Sequence, residues 1–111
     1  MTDNKIKNKT DKKLETARLN MKIAVALSDL TATEISVRAG LSVNVLGKYM
    51  RGETMISFGN MQAVCDVLDV PLAMITSEKQ ITPARVRLAK ILMNLNDEDL
   101  EKFLNMEKNK K

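Results

Sequence analysis

The stretch between Thr31 and Gly52 holds two short helices with start and stop signals, which limits the fold more than any other feature. Thr31 and Glu34 have the spacing of a capping box, in which each side chain accepts a hydrogen bond from the other residue's backbone amide. Gly40 predicts the end of the first helix, Ser42 the cap of the second and Gly52 its end. Helices of about eight residues are not stable alone. The two must therefore pack against each other at a steep angle, as a helix-turn-helix.

Apolar residues at three- and four-residue spacing predict further helices on both sides of this pair. They are expected over residues 10–27, 58–68, 71–76, 82–94 and 96–108. With four glycines and two prolines, the chain lacks the turn residues of a β architecture. The sequence therefore predicts an all-α protein. Three parts are expected: a disordered basic arm over 1–9, a domain over 10–77 and a helical hairpin over 82–108.

Composition excludes several classes of function. The chain has no histidine and one cysteine, which removes the usual zinc sites and histidine-based acid–base catalysis. No carboxylate pair, nucleophile–base set or Gly-rich phosphate loop is present, so we expect no enzyme, metal or cofactor. Apolar runs of about five residues are too short to cross a membrane. We expect a cytoplasmic protein in which Cys65 is a small core residue.

The net charge of +4 is unevenly distributed. Residues 1–30 hold seven basic and four acidic residues, whereas 31–77 hold three basic and four acidic ones. Residues 78–111 hold eight basic and six acidic residues. The basic amino terminus is either a solvated tail or an arm that attracts nucleic acid, and charge alone leaves both open.

The segment from Leu30 to Glu53 (LTATEISVRAGLSVNVLGKYMRGE) resembles the helix-turn-helix of phage repressor and Cro proteins, the Cro/C1-type regulators. The similarity covers about residues 14–76 and continues through Ser57, Phe58, Met61, Val64, Leu68, Val70 and Leu72. It implies an all-α, lambda repressor-like five-helix DNA-binding domain, followed here by the C-terminal hairpin. The implied function is a sequence-specific, double-stranded-DNA-binding transcriptional regulator, a phage or mobile-element repressor that acts as a homodimer on a near-palindromic operator.

The resemblance also implies site residues. The helix after Ser42 enters the major groove in this family, so the base-reading candidates are Val43, Asn44, Gly47 and Lys48. The alternative for Asn44 and Lys48 is an ordinary exposed polar face. Leu46 and Tyr49 are expected to point into the core. The phosphate-binding candidates are Lys22, Thr31, Thr33, Ser42, Arg51, Ser57 and Asn60, and the flexible DNA arm would supply Lys5, Lys7, Lys9, Lys12 and Lys13.

Two positions depart from the family. The frequent Gln that grips phosphate is Ala32 here, and the frequent Pro before the fourth helix is Ile56. Together with the acidic balance of residues 31–77, this supports an alternative: an antitoxin or antirepressor whose domain mainly binds a protein partner. An RNA-associated coactivator is less favoured, because stacking aromatic residues are few.

The two C-terminal helices carry more apolar surface than a hairpin can cover by itself. One explanation is that they pack against the DNA-binding domain. The one we favour is homodimerisation through Val86, Ala89, Leu92, Met93, Leu100, Phe103 and Leu104. Past the second motif helix, Met50, Met55 and Ile56 form either an exposed interface or loop packing.

Overall fold

The computed structural model describes residues 9–109, and over that range it contains seven helices and no strand. They are α1 (Lys9–Leu27), α2 (Ala32–Arg38), α3 (Val45–Met50), α4 (Phe58–Leu68), α5 (Leu72–Ile75), α6 (Pro83–Asn94) and α7 (Asp97–Asn109). The predicted all-α class is confirmed. None of the helices in this range is long and apolar enough to cross a membrane.

Local signals set the ends of α2 as the sequence predicts. The Glu34 amide donates to Thr31 Oγ1 at 3.1 Å, and the Thr31 amide donates to Glu34 Oε1 at 2.9 Å. Gly40 has a φ of +78°, and the next amide, that of Leu41, donates to the Ser36 carbonyl at 2.8 Å. This closing hydrogen bond requires a left-handed residue before it, which glycine adopts without strain.

The helix α1 begins at Lys9, one residue earlier than predicted. The predicted flexible backbone is therefore wrong for Lys9, Lys12 and Lys13, which lie within this helix. The helix extends upstream of its apolar stripe because lysine, which occupies three of the positions 9–13, is a good helix former and Asp11 lies in the first turn. Lys5 and Lys7 lie outside the described residues.

The core lies among α1 to α5. Its largest fully buried side chains include Met21, Ile35, Leu46, Val64 and Ile75, which come from five different helices. One long helix and four short ones thus share a single apolar centre, as the resemblance implies. Cys65 belongs to this core, and burial raises the pKa of its thiol to about 11.

Phe58 is exposed at the start of α4. Helical spacing places it on the same face as the buried Met61, Val64 and Leu68, yet 74% of Phe58 is accessible. It is the first residue of α4, directly after the Ser57 cap, and the buried face of this helix begins one turn later at Met61. The first turn therefore extends beyond the core, and Phe58 faces solvent.

The two C-terminal helices differ in how they meet the domain. On α6, Ala89 is buried and Val86 packs against the core cluster. In α7, none of the residues 97–109 is buried. The alternative of packing against the domain therefore holds for one face of α6 and not for α7.

Candidate nucleic-acid interface

The helix α3 has one face in the core and one in solvent. Leu46 is 0% exposed and Tyr49 is 2% exposed, which confirms the expectation that both are core residues. Val43 is 50% exposed, and Asn44 and Lys48 are exposed as well. Gly47 is half-buried. The four base-reading candidates thus lie before or along the solvent side of α3.

Two side chains from other helices hold α3 in place. The Leu46 amide donates to the hydroxyl of buried Ser36 at 3.2 Å, which ties the first turn of α3 to α2. Arg18 Nε donates to the Tyr49 carbonyl at 3.1 Å, and its guanidinium lies 5.4 Å from the centre of the Tyr49 ring. The orientation of α3 is therefore determined by α1 and α2 together.

The start of α3 corrects the role predicted for Ser42. The helix begins at Val45, with Asn44 at the N-cap in a right-handed conformation and no side-chain capping bond. The Val45 amide donates to the Ser42 carbonyl at 3.1 Å, so a turn precedes the helix. Because that turn uses the backbone of Ser42, its hydroxyl does not cap α3, and the predicted capped N-terminus is absent here.

An open cleft of about 380 Å³ brings five of the predicted site residues together. It runs between α3, the 54–56 loop and the start of α4, and its predicted members are Ser42, Asn44, Lys48, Ser57 and Asn60. The Ser57 hydroxyl accepts from the Asn60 amide at 3.1 Å and so caps α4. The cleft thus joins polar groups of α3 to a capped helix start.

Other predicted site residues lie away from this cleft. Thr31 and Thr33 are exposed at the start of α2, and Lys22 is exposed on α1. Lys12 and Lys13 line a separate groove with Thr16, Thr76, Ser77 and Glu78. These two lysines therefore do not share the lining of the α3 cleft.

Arg51 follows α3 and forms an ion pair that the sequence did not predict. Its Nε lies 2.6 Å from Glu53 Oε2. This hydrogen bond raises the pKa of Arg51 and lowers the pKa of Glu53. The guanidinium also lies over Gly47, because a Cβ atom placed there would be 3.2 Å from Arg51 Nη1.

The loop after α3 contains both core packing and exposed apolar surface, the two alternatives given for Met50, Met55 and Ile56. Met55 is 59% exposed and lines the cleft, whereas Ile56 and Met50 are half-buried and pack against the core. Phe58 adds a second exposed apolar side chain at the start of α4. The loop is therefore core packing at two positions and exposed apolar surface at Met55.

The predicted dimer residues divide into two groups. Ala89 is buried within the chain, which corrects its assignment to a dimer face, and Val86 is partly buried against the core cluster. The remaining residues are exposed or half-buried: Leu92, Met93, Leu100, Phe103 and Leu104. Leu92 and Met93 line an apolar groove with Leu88, Met74 and Pro71.

The sequence pattern did not indicate the roles of Arg18, Ser36 and Glu53. Arg18 lies between the buried residues Ala17 and Met21 of the apolar stripe. This spacing places Arg18 at the edge of the buried face, where its side chain can reach a neighbouring helix. Ser36 follows the inward Ile35, and nothing in the pattern marked it as buried. Among the residues described, no group of three or more His, Cys, Asp or Glu side chains could hold a metal ion.

Comparison with known proteins agrees with this geometry. Residues 21–75, about half of the chain, match the model of the helix-turn-helix family. That match spans all of α2 to α5 and includes the α3 cleft. No curated protein and no solved structure matches the chain. The family consists of DNA-binding regulators that are generally not enzymes. The chain belongs to the Cro/C1-type helix-turn-helix family and is a DNA-binding regulator of that type.

Proposed function

We propose that this protein is a sequence-specific repressor of a phage or mobile element, which binds double-stranded DNA as a homodimer on a near-palindromic operator. The single observation that carries the proposal is the outer side of α3. There Asn44 and Lys48 are exposed opposite buried Leu46 and Tyr49, on a helix tied to its neighbours. Operator DNA lies in the cytoplasm of the bacterial or phage-infected cell, and we expect the protein there.

The side chains near α3 suit direct readout in the major groove. Asn44 can pair with N6 and N7 of adenine, Lys48 can donate to O6 and N7 of guanine, and Val43 can contact a thymine methyl. Each polar pairing of this kind contributes roughly 1–3 kcal/mol of discrimination between bases. Gly47 leaves room on the same side of the helix.

Phosphate contacts would orient the domain on the duplex. The start of α4 with Ser57 and Asn60 is the strongest candidate, since it lies in the same cleft as Asn44 and Lys48. Lys22, Thr31, Thr33, Ser42 and Arg51 are the further candidates. Residues 31–77 hold more acidic than basic residues, so non-specific attraction would come from the lysines at positions 5, 7, 9, 12 and 13.

Binding-site selection from random duplexes tests base readout. Wild-type protein should select one site, and Asn44→Ala and Lys48→Ala should each relax the preference at single positions by roughly 1–3 kcal/mol. Asn105→Ala and Lys102→Ala, on exposed positions of α7, remove the same groups elsewhere and should leave the site unchanged. Unchanged preference in both α3 variants contradicts the proposal.

Charge supports a dimer in which α7 of one copy packs on α6 of the other. Exposed apolar side chains on these helices include Leu88, Ile91, Phe103 and Leu104. The helix α6 carries three basic residues and no carboxylate, whereas α7 carries five carboxylates and two lysines. Two such helices attract each other, and their pairing covers apolar surface that a single chain leaves in water.

The dimer is tested by Phe103→Glu combined with Leu104→Glu. Because α7 contributes no buried residue, this variant should fold with unchanged helix content. Sedimentation equilibrium should show a dimer for wild type and for Lys102→Ala, and a monomer for the double variant. A monomeric wild type, or a dimeric double variant, argues against this interface.

A second candidate function is an antitoxin or antirepressor that binds a protein through the same domain. Exposed Val43, Met55 and Phe58 favour it, because they place apolar side chains around the α3 cleft. Gel-shift titration at two salt concentrations separates the two functions. An operator-binding protein shows a preferred duplex and a steep salt dependence, whereas a protein-binding module shows neither.

A further inference from the structure

The ion pair after α3 combines features that folding does not require. Arg51 and Glu53 are both largely exposed, with side chains 60% and 50% accessible, and exposed pairs contribute little to stability. A carboxylate beside a DNA-binding helix also repels phosphates. The arrangement therefore needs another explanation.

The backbone holds Glu53 at a defined position. Gly52 adopts a φ of +79°, its amide donates to the Tyr49 carbonyl at 3.0 Å, and the Glu53 amide donates to the Lys48 carbonyl at 2.9 Å. These two bonds form the closing motif of a helix that ends in a left-handed residue. The Glu53 side chain is thus presented beside the last turn of α3.

Glu53 and Gly47 together fix where the Arg51 guanidinium lies. Glu53 Oε2 accepts from Nε at 2.6 Å, and Nη1 lies over Gly47, at 3.2 Å from the position a Cβ atom would take there. Gly47 precedes Arg51 by four residues, so the guanidinium extends back along that side of the helix. Because Nε is bonded to Glu53, the guanidinium can contact a base through the edge formed by Nη1 and Nη2.

We infer that Arg51 reads a guanine in the operator, with Glu53 and Gly47 as the residues that position its guanidinium. This inference rests on the proposed DNA-binding function and moves Arg51 from the phosphate-binding to the base-reading group. The fork of two N–H donors matches O6 and N7 of guanine, the commonest specific contact of arginine in the major groove. Gly47 contributes by leaving space for Arg51.

The experiment uses the duplex that wild-type protein selects, with each guanine replaced singly by 7-deazaguanine, which lacks the N7 acceptor. Replacement of the guanine that Arg51 reads should weaken binding about tenfold both in wild type and in Lys48→Ala. The same replacement should not affect Arg51→Ala, which has no donor left, whereas Arg51→Lys should retain only part of the effect because its ammonium lacks the two-donor fork. Arg38→Ala, which removes an exposed arginine from the end of α2, should retain the full effect.

Two further variants separate positioning from charge. Glu53→Ala removes a negative charge near DNA, so affinity for random duplexes should rise while the 7-deazaguanine effect falls. Glu53→Gln retains an oxygen acceptor for Nε and should recover part of that effect. Gly47→Ala should reduce the loss of affinity that 7-deazaguanine causes in wild type. In Arg51→Ala, adding Gly47→Ala should leave the response to 7-deazaguanine unchanged.

The outcomes are distinguishable. If wild-type protein selects no duplex, the proposed function and this inference both fail. If it selects one and Arg51→Ala remains sensitive to every 7-deazaguanine that weakens wild-type binding, only the inference fails. An equal loss of affinity for all duplexes in Arg51→Ala would mean that Arg51 contacts phosphate.

Discussion

Arg18 contacts Tyr49 twice, through a 3.1 Å hydrogen bond from Nε to the carbonyl oxygen and through its guanidinium, 5.4 Å from the ring centre. The two residues are 31 positions apart in the chain. The hydrogen bond gives the Tyr49 carbonyl, in the last turn of α3, a second donor besides the Gly52 amide at 3.0 Å. Arg18 therefore connects α1 to the end of the candidate base-reading helix.

Arg18→Ala should lower the free energy of unfolding by about 1 kcal/mol, since it removes one hydrogen bond and one cation–π contact. Urea denaturation followed by circular dichroism measures the change. Lys22→Ala, one turn further along α1 at an exposed position, is the matched control and should change stability by less than about 0.5 kcal/mol. Equal effects in the two variants would show that the contact contributes nothing.

Ser36→Ala should destabilise the domain by about 1–3 kcal/mol. The Ser36 hydroxyl is fully buried and accepts the Leu46 amide at 3.2 Å, so its removal leaves a buried donor without a partner. Equilibrium unfolding in urea tests this, with Ser42→Ala as an exposed serine that does not cap α3. A Ser36→Ala protein as stable as Ser42→Ala contradicts the prediction.

Asn20→Ala should cost about 2 kcal/mol of stability. The buried Asn20 Nδ2 donates to the Ile75 carbonyl at 2.7 Å and to the Ser77 carbonyl at 2.8 Å, which joins α1 to the end of α5. Asn20→Asp should be more destabilising at neutral pH, because a carboxylate cannot donate to either oxygen. Thermal unfolding of both variants at pH 7 measures the order, and the reverse order would show that the carbonyls find other donors.

The capping box of α2 should make stability depend on pH. Hydrogen bonds to Thr31 lower the pKa of Glu34. The bond from the Thr31 backbone amide contributes most, and the bond with the Thr31 side chain contributes less. Because this pKa is lower in the folded than in the unfolded state, ionised Glu34 stabilises the fold at pH values above its unfolded-state pKa. That stabilisation is lost as pH falls through the folded-state pKa. Glu34→Gln keeps an acceptor and removes the charge.

Wild type should therefore be more stable than Glu34→Gln at pH 7, and the difference should shrink progressively below about pH 4.5. Urea denaturation of both proteins at pH 7, 5 and 3 gives the comparison. A difference that stays constant across these pH values would mean that the charge of Glu34 does not stabilise α2.

Local signals in the sequence determined most of the helices. Thr31, Ser57 and Thr82 accept from the amide three residues later, as their positions predict. Gly40 and Gly52 end α2 and α3 in the left-handed conformation. These features depend on hydrogen bonds between residues close in the chain, so the sequence is sufficient to predict them.

Tertiary structure decided what those helices present to each other and to solvent. Arg18 reaches Tyr49, Ser36 reaches Leu46 and Asn20 reaches the end of α5 across 10 to 55 residues of chain. Phe58 is exposed because the buried face of α4 begins one turn further along the helix, at Met61. Arg51 lies over Gly47 because Glu53 bonds to it. Periodicity predicts that a residue is inside or outside, but contacts between distant residues depend on how the helices pack, which only the folded chain determines.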